Sequence, residues 1–252
     1  MPPTLPDFRE IDRHLFEGWP PARIENVHGW RSALDGGVTR RPNSVWPIAW
    51  DGAALLDRAI DAVEAVYGSA NLRPCFRISD AALPGNLDAR LAERGYGIEG
   101  RSHVLATSMD EASARVRDGA EIVLLSEPSA DWLACYESGL ARESDGPIVR
   151  SIFGRIKHRH VFAAAVRGST AVSVMLAVHT GPWVQISAVR TLPAHRRQGL
   201  AVGVMAAAAA WARRQDARGL ALQVEAANAP ALSLYHAAGL KRIYGYHYRA
   251  KA

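Results

Sequence analysis

The feature that most constrains this chain is a register. Gly95 and Gly239 stand 144 residues apart, as do Val45 and Val189, Gly37 and Gly181, and His103 and His247. The apolar phases of two long helical stretches, after Asp51 and after Gln198, agree at the same offset. One shared interval would be chance. A register held across strand, helix, strand and helix marks a tandem duplication of one supersecondary unit. The expected organisation is a degenerate partial copy over 1–105, a polar, small-residue linker over 106–119 (ATSMDEASARVRDG), and a complete copy over 120–252. The first copy is expected to lack the opening strand and helices of the second.

Each copy alternates apolar strand patterns with helical spacing, so the fold class is α/β (α+β), with a mixed central sheet flanked by helices. In the second copy, 120–127 reads as a strand, and 129–140 and 147–156 as helices. Three β-rich segments follow over 161–167, 169–179 and 183–191, with turns at Gly168 and Gly181-Pro182. An alanine-rich helix, a strand over 220–226, a helix over 230–238 and a Tyr-rich strand over 242–249 complete it. The first copy gives strand, helix, strand (CFRIS), helix and strand from about residue 43 onward.

Composition removes several function classes. The chain of 252 residues is 48% hydrophobic and 22% charged, enough for a proper core and too apolar for general disorder. No apolar run reaches the roughly 18 residues of a membrane span, and the N-terminus lacks a signal-peptide layout, so the location is read as cytoplasmic. Cys75 and Cys135 are too few for a disulfide framework and show no metal-ligand spacing, so no metal is expected. The net charge of +5 comes from arginines spread along the chain, with no run longer than a pair. That argues against a nucleic-acid groove and suits a small anionic ligand.

The stretch RTLPAHRRQGLAVG places a strand end, a proline, two arginines and a glycine ahead of a helix. Arg196 to Ala201 fits R-x-x-G-x-[GA]. The first turn of a helix has unpaired N–H groups and partial positive charge, and small residues let a pyrophosphate approach. By itself this is a charged turn as readily as a cradle. In order with Val189, Pro193, Asn228, Ala231, Tyr235 and Gly239, however, it resembles the GNAT superfamily of acyl-CoA-dependent N-acyltransferases, most strongly over residues 184–240. Arg197 stands where many members carry glycine.

The resemblance implies acetyl-CoA as cosubstrate, with transfer to a primary amine, most simply of a small molecule, in a ternary complex. It places the pantetheine arm on Val189, Arg190 and Thr191. The pyrophosphate falls on Arg196, Arg197, Gln198, Gly199, Leu200, Ala201 and Val202, and the thioester near Asn228 and Tyr235. Tyr235 would protonate the departing thiolate. On the amine side Gln223 replaces the glutamate of some relatives, leaving Glu225, two residues on and on the same strand face, as the first candidate base. His179 is a weaker candidate, His195 belongs to the loop surface, and Trp183, Tyr244 and Tyr246 are candidates to line an acceptor pocket.

At the 144 offset the first copy has Leu91 for Tyr235, Pro84 for Asn228 and GAALLD for the arginine loop. It is therefore read as a structural partner or substrate wall. Two other readings stay open: a non-catalytic acyl-CoA sensor, motivated by Gln223, and an acyltransferase for protein or RNA acceptors. Whether the chain forms a homodimer is also open.

Overall fold

A computed structural model describes residues 8–112 and 120–251. Eleven strands form one continuous sheet in the order β1-β2-β3-β4-β11-β5-β10-β9-β8-β7-β6. In the N-terminal half these are β1 (Arg23–Val27), β2 (Trp30–Leu34), β3 (Val45–Trp46), β4 (Cys75–Ser79) and β5 (Gly97–Ser108). In the C-terminal half they are β6 (Glu121–Leu125), β7 (His160–Arg167), β8 (Thr170–Thr180), β9 (Trp183–Thr191), β10 (Gly219–Glu225) and β11 (Lys241–Ala250). The helices are α1 (Phe8–Glu17), α2 (Leu56–Ser69), α3 (Leu87–Glu93), α4 (Ala130–Glu137), α5 (Gly146–Gly154), α6 (Leu200–Arg214) and α7 (Ala229–Ala237).

The repeat seen in sequence is present in the elements. α2 and α6 begin 144 residues apart, as do β4 and β10, and β5 and β11, while α3 and α7 end at that offset. Gly37 and Gly181 both take positive φ (76° and 55°), as do Gly95 and Gly239 (82° and 89°). These pairs share a left-handed turn that glycine adopts without steric cost.

The halves are joined by exchange. β5, from the N-terminal half, lies antiparallel between β10 and β11, and β11 lies between β5 and β4. Each half thus closes its sheet with the other's last strand. In the β5–β11 pairing Ser102 faces Tyr246, its own counterpart at the 144 offset. Directly opposed residues of an antiparallel pair share a face, so a local two-fold passes through this pair and equivalent helices lie on the same side.

One face carries α6 and α7 over Val184, Ile186 and Leu222, and α2 and α3 over Phe76 and Ile78. The other carries α4 and α5 over Phe162 and Leu176. On that second face Ile11 and Leu15 of α1 pack with Val104, Trp183, Ala221 and Tyr244. So the N-terminal helix covers the seam and the C-terminal half.

The seam also holds a buried ion pair. Arg77 on β4 donates two 2.7 Å hydrogen bonds to Asp12 on α1, and Tyr244 on β11 donates to the same carboxylate. The guanidinium lies 4.2 Å from the Trp46 ring centroid and 3.9 Å from that of Tyr246. Fork geometry and cation–π contact with two rings work against the large cost of desolvating two charges.

Several expectations need correction. Residues 106–108 of the expected linker are strand, because Ala106 and Thr107 pair with Ala221 and Leu220 of β10; residues 113–119 lie outside the described residues. The N-terminal half has an opening helix, α1, and a hairpin, β1–β2, which the sequence reading passed over. The short strands of that hairpin alternate weakly, with β1 mostly exposed. Cys75 and Cys135 are free and buried. Among the described residues no helix is long and apolar enough to cross a membrane, and no cluster of His, Cys, Asp and Glu is placed to hold a metal ion.

Candidate active site

The site is built where the sheet opens. β9 and β10 run parallel and pair from Trp183–Gly219 to Ile186–Leu222, and no further. Beyond that point Ser187–Thr191 and Gln223–Glu225 diverge, leaving a free edge on β9. The divergence has a local cause. β9 carries one extra residue against β8, since Ser187 pairs with Leu176 but Arg190 with Val174. Ala188, in that bulge, has φ of 50°. A bulge bends its strand and sharpens the twist, which turns β9 away from β10.

At the end of β9 a 3₁₀ turn over Pro193–His195 leads into the arginine loop and α6. Gly199 caps α6 with φ of 79°, and Arg197 is also left-handed at 64°. That explains why glycine suits the position of Arg197: a side chain there costs about 1 kcal/mol of backbone strain. The helix's first internal bond runs from Gly203 N–H to Gly199 O, 3.1 Å, so the amides of Leu200, Ala201 and Val202 have no acceptor within the helix. Arg196, Arg197 and Gln198 are exposed beside them, with Arg196 Nε donating to the Thr191 carbonyl (3.3 Å). The Arg190 guanidinium points elsewhere, donating to the Gly139 carbonyl at 3.0 Å.

Tyr235 lies on the α6–α7 face, buried in the cluster that holds Leu222 and Val224, with Val189 and Leu192 packed against it. Burial pushes its phenol up to about 12, so the proton is held throughout the neutral range. Asn228 caps α7, its side-chain oxygen accepting from Ala231 N–H at 3.2 Å.

On the opposite face the splay opens into a cavity of about 570 Å³. Gln223, Glu225 and Tyr246 line it, in keeping with the strand alternation. The Tyr246 hydroxyl donates to Gln223 Oε1 at 2.7 Å. Glu225 is 63% exposed and pairs with Arg40 at 3.4 Å. The far wall comes from the N-terminal half: Trp19 after α1, the loop over 37–43, and Arg73. Asn43 fixes that loop, accepting from the Asp35 and Gly37 amides (2.9 and 3.1 Å) and donating to the Thr39 carbonyl (2.7 Å).

Three sequence candidates fall away from this site. His179 faces Val184 and Trp183 pairs with Gly219, at the closed end of the β9–β10 pairing. Burial, with Arg159 nearby, lowers the His179 pKa. Tyr244 is committed to the Asp12–Arg77 seam. Sequence reasoning in turn missed Trp19, Arg40 and Arg41. The RR pair in TRRPN was the available signal, but only the fold brings Arg40 to β10 and Arg41 to β9.

The sheet order, bulged fourth strand of the C-terminal half, parallel splay and helix cradle together make this the GNAT fold. Residues 6–249 match the family described as "Probable histone acetyltransferase Rv0428c C-terminal", and the chain belongs to that acetyltransferase family within the GNAT superfamily. It is 26% identical over 255 residues to the uncharacterized N-acetyltransferase YobR of Bacillus subtilis, covering 98% of this chain and 100% of YobR. Its fold is shared by a GCN5-related N-acetyltransferase from Kribbella flavida (TM-score 0.71, 18% identity, 96% of this chain and 94% of that one). A tandem GNAT protein from the clavulanic acid biosynthesis pathway also shares it (TM-score 0.62, 12% identity, 77% and 68%).

Proposed function

We propose that the protein is an acetyl-CoA-dependent N-acetyltransferase acting on a primary amine by direct transfer in a ternary complex. The single observation that carries this is the position of Tyr235 and the composite cavity on opposite faces of one splay. An arm laid in the splay would be reached by an amine from the cavity side and by a phenol from the other.

Bound acetyl-CoA would extend the sheet along Val189–Thr191, as an added strand does, with its pyrophosphate at the Leu200–Val202 amides beside Arg196 and Arg197. The acceptor ammonium must first lose a proton, to Glu225 or to water beside it. The freed lone pair attacks the thioester carbonyl, forming the C–N bond. As the tetrahedral adduct collapses, the C–S bond breaks and the thiolate takes the Tyr235 proton, while the nitrogen gives up its second proton to water, from which the phenolate is reprotonated. Burial keeps that phenol protonated through the neutral range, so its proton is in place when the thiolate forms. Asn228 would set the entry of α7 and so the placement of Tyr235.

The two halves supply one composite active site, with 1–105 as scaffold and acceptor wall and 120–252 as the acyl-CoA side. The test is thiol release from acetyl-CoA across an amine panel, with isothermal calorimetry of acetyl-CoA binding. Acetylated product with loss of turnover in Tyr235→Phe is the expected result. Calorimetry showing no acetyl-CoA binding would refute the reading, whereas binding without turnover for any acceptor would leave a sensor.

A further inference from the structure

The charges around the cavity do not cancel. Arg40, Arg41, Arg73 and Glu225 line it. Arg40 and Arg73 both bond Glu99 (3.2 and 2.6 Å), and Arg40 also reaches Glu225. Burial disfavours the Arg40 cation, but Glu99 and Glu225 together more than offset this and raise its pKa. Two cations therefore share two carboxylates. Arg41 is the surplus: among the described residues no carboxylate lies within ion-pair distance of it.

Arg41 is half-buried, its guanidinium 5.2 Å from the Trp19 ring centroid. It donates to a neutral acceptor, the Gln185 amide oxygen, at 3.1 Å in the amide orientation that satisfies both ends of that side chain. A guanidinium has five N–H donors, so most remain. The Arg41 guanidinium thus brings spare donors to a cavity whose other side carries Glu225.

We infer that the acceptor is an amine that also carries a carboxylate, with Arg41 receiving the carboxylate while Glu225 faces the amine. The inference rests on the acetyl-transfer reading for the role of the amine, and on the cavity alone for the carboxylate. The ion pair between Arg40 and Glu225 ties the carboxylate of β10 to the loop, leaving Arg41 without a carboxylate of its own. An acceptor with opposite charges at its two ends has one favoured orientation in such a field.

The test uses the full chain and acceptors in matched pairs, carboxylate against carboxamide: glycine and glycinamide, β-alanine and β-alaninamide, 6-aminohexanoate and its amide, each compared at equal free-amine concentration. A charge-assisted contact is worth about 10- to 100-fold in affinity, so at least one acid should exceed its amide by that factor in kcat/KM. Arg41→Gln should bring the ratio toward one through KM, and Arg41→Lys should keep part of it, since a point charge replaces the fork. Acetyl-CoA affinity of each variant serves as the folding control.

Equal use of acid and amide in every pair, or an unchanged ratio in Arg41→Gln, would overturn the inference. If no acceptor is acetylated, the activity reading fails by itself, and the same pairs titrated by calorimetry with CoA present decide the pocket. Acid-selective binding lost in Arg41→Gln sustains the inference; no such selectivity overturns it.

Discussion

The two halves place different charges at the same point of the same fold. At the start of α6 the second helical position is Ala201, small and neutral, beside two exposed arginines. At the start of α2 that position is Asp57. Arg90 of α3 donates to it at 2.7 and 2.6 Å, and Arg94 joins at 3.3 Å. Arg90's hydrogen bonds hold the Asp57 carboxyl below its ordinary value. The N-terminal half thus supplies its own anion to a helix terminus that, in the C-terminal half, has no acidic residue in its first turn. Likewise Leu91 is fully buried packing where Tyr235 brings a hydroxyl. One scaffold carries either set of side chains at equivalent positions.

The largest effect separating the halves should come from Tyr235→Phe. Loss of a positioned general acid lowers kcat by about 10²- to 10⁴-fold, with acetyl-CoA affinity unchanged. With the phenol at about 12, turnover should show no alkaline loss attributable to Tyr235 up to about pH 11. The sign follows from its role: only the protonated form acts, and it persists below that pKa. A wild-type rate for Tyr235→Phe in steady-state assays would move the acid elsewhere.

Breaking the seam should unfold both halves together. Asp12→Ala leaves the fully buried Arg77 cation uncompensated, which costs about 3 to 5 kcal/mol in urea denaturation. Two separate transitions in wild-type unfolding would show that strand exchange does not couple the halves.

Exchanging the helix-terminal residues sharpens the contrast. Ala201→Asp puts a carboxylate into the cradle and should weaken acetyl-CoA binding about 10-fold by calorimetry, near the upper range of helix-terminal charge effects. Asp57→Ala should not create a second CoA site, because that turn lacks the arginines. Binding of two equivalents would break the comparison. The smallest effect is expected from Arg197→Gly, which relieves the left-handed backbone by about 1 kcal/mol and raises Tm slightly while weakening the cradle. A fall in Tm would show that the Arg197 side chain contributes more to folding than its strained backbone takes away.

Much of the C-terminal half was legible because its signals are local. The proline, the glycine at a positive-φ cap and the alanine-rich helix fix the cradle within a dozen residues. The alternation along β10 put Gln223 and Glu225 on one face without knowledge of their neighbours. The N-terminal half was less legible. β1 is mostly exposed and only five residues long, and β3 has two residues. His179 and Trp183 misled because residue type and strand membership do not say which end of a strand opens.

The sequence by itself determined the duplication and its register, the order of elements, and the difference between a cradle with arginines and one without. These follow from local periodicity, turn chemistry and helix-terminus electrostatics, which act over a few residues. Only the tertiary structure decided that β5 and β11 change places, that α1 crosses to the other half, and that Arg40 meets Glu225 of β10 across the cavity. Such contacts join residues more than a hundred positions apart through sheet pairing and burial, and no local pattern encodes which partner a strand edge will take.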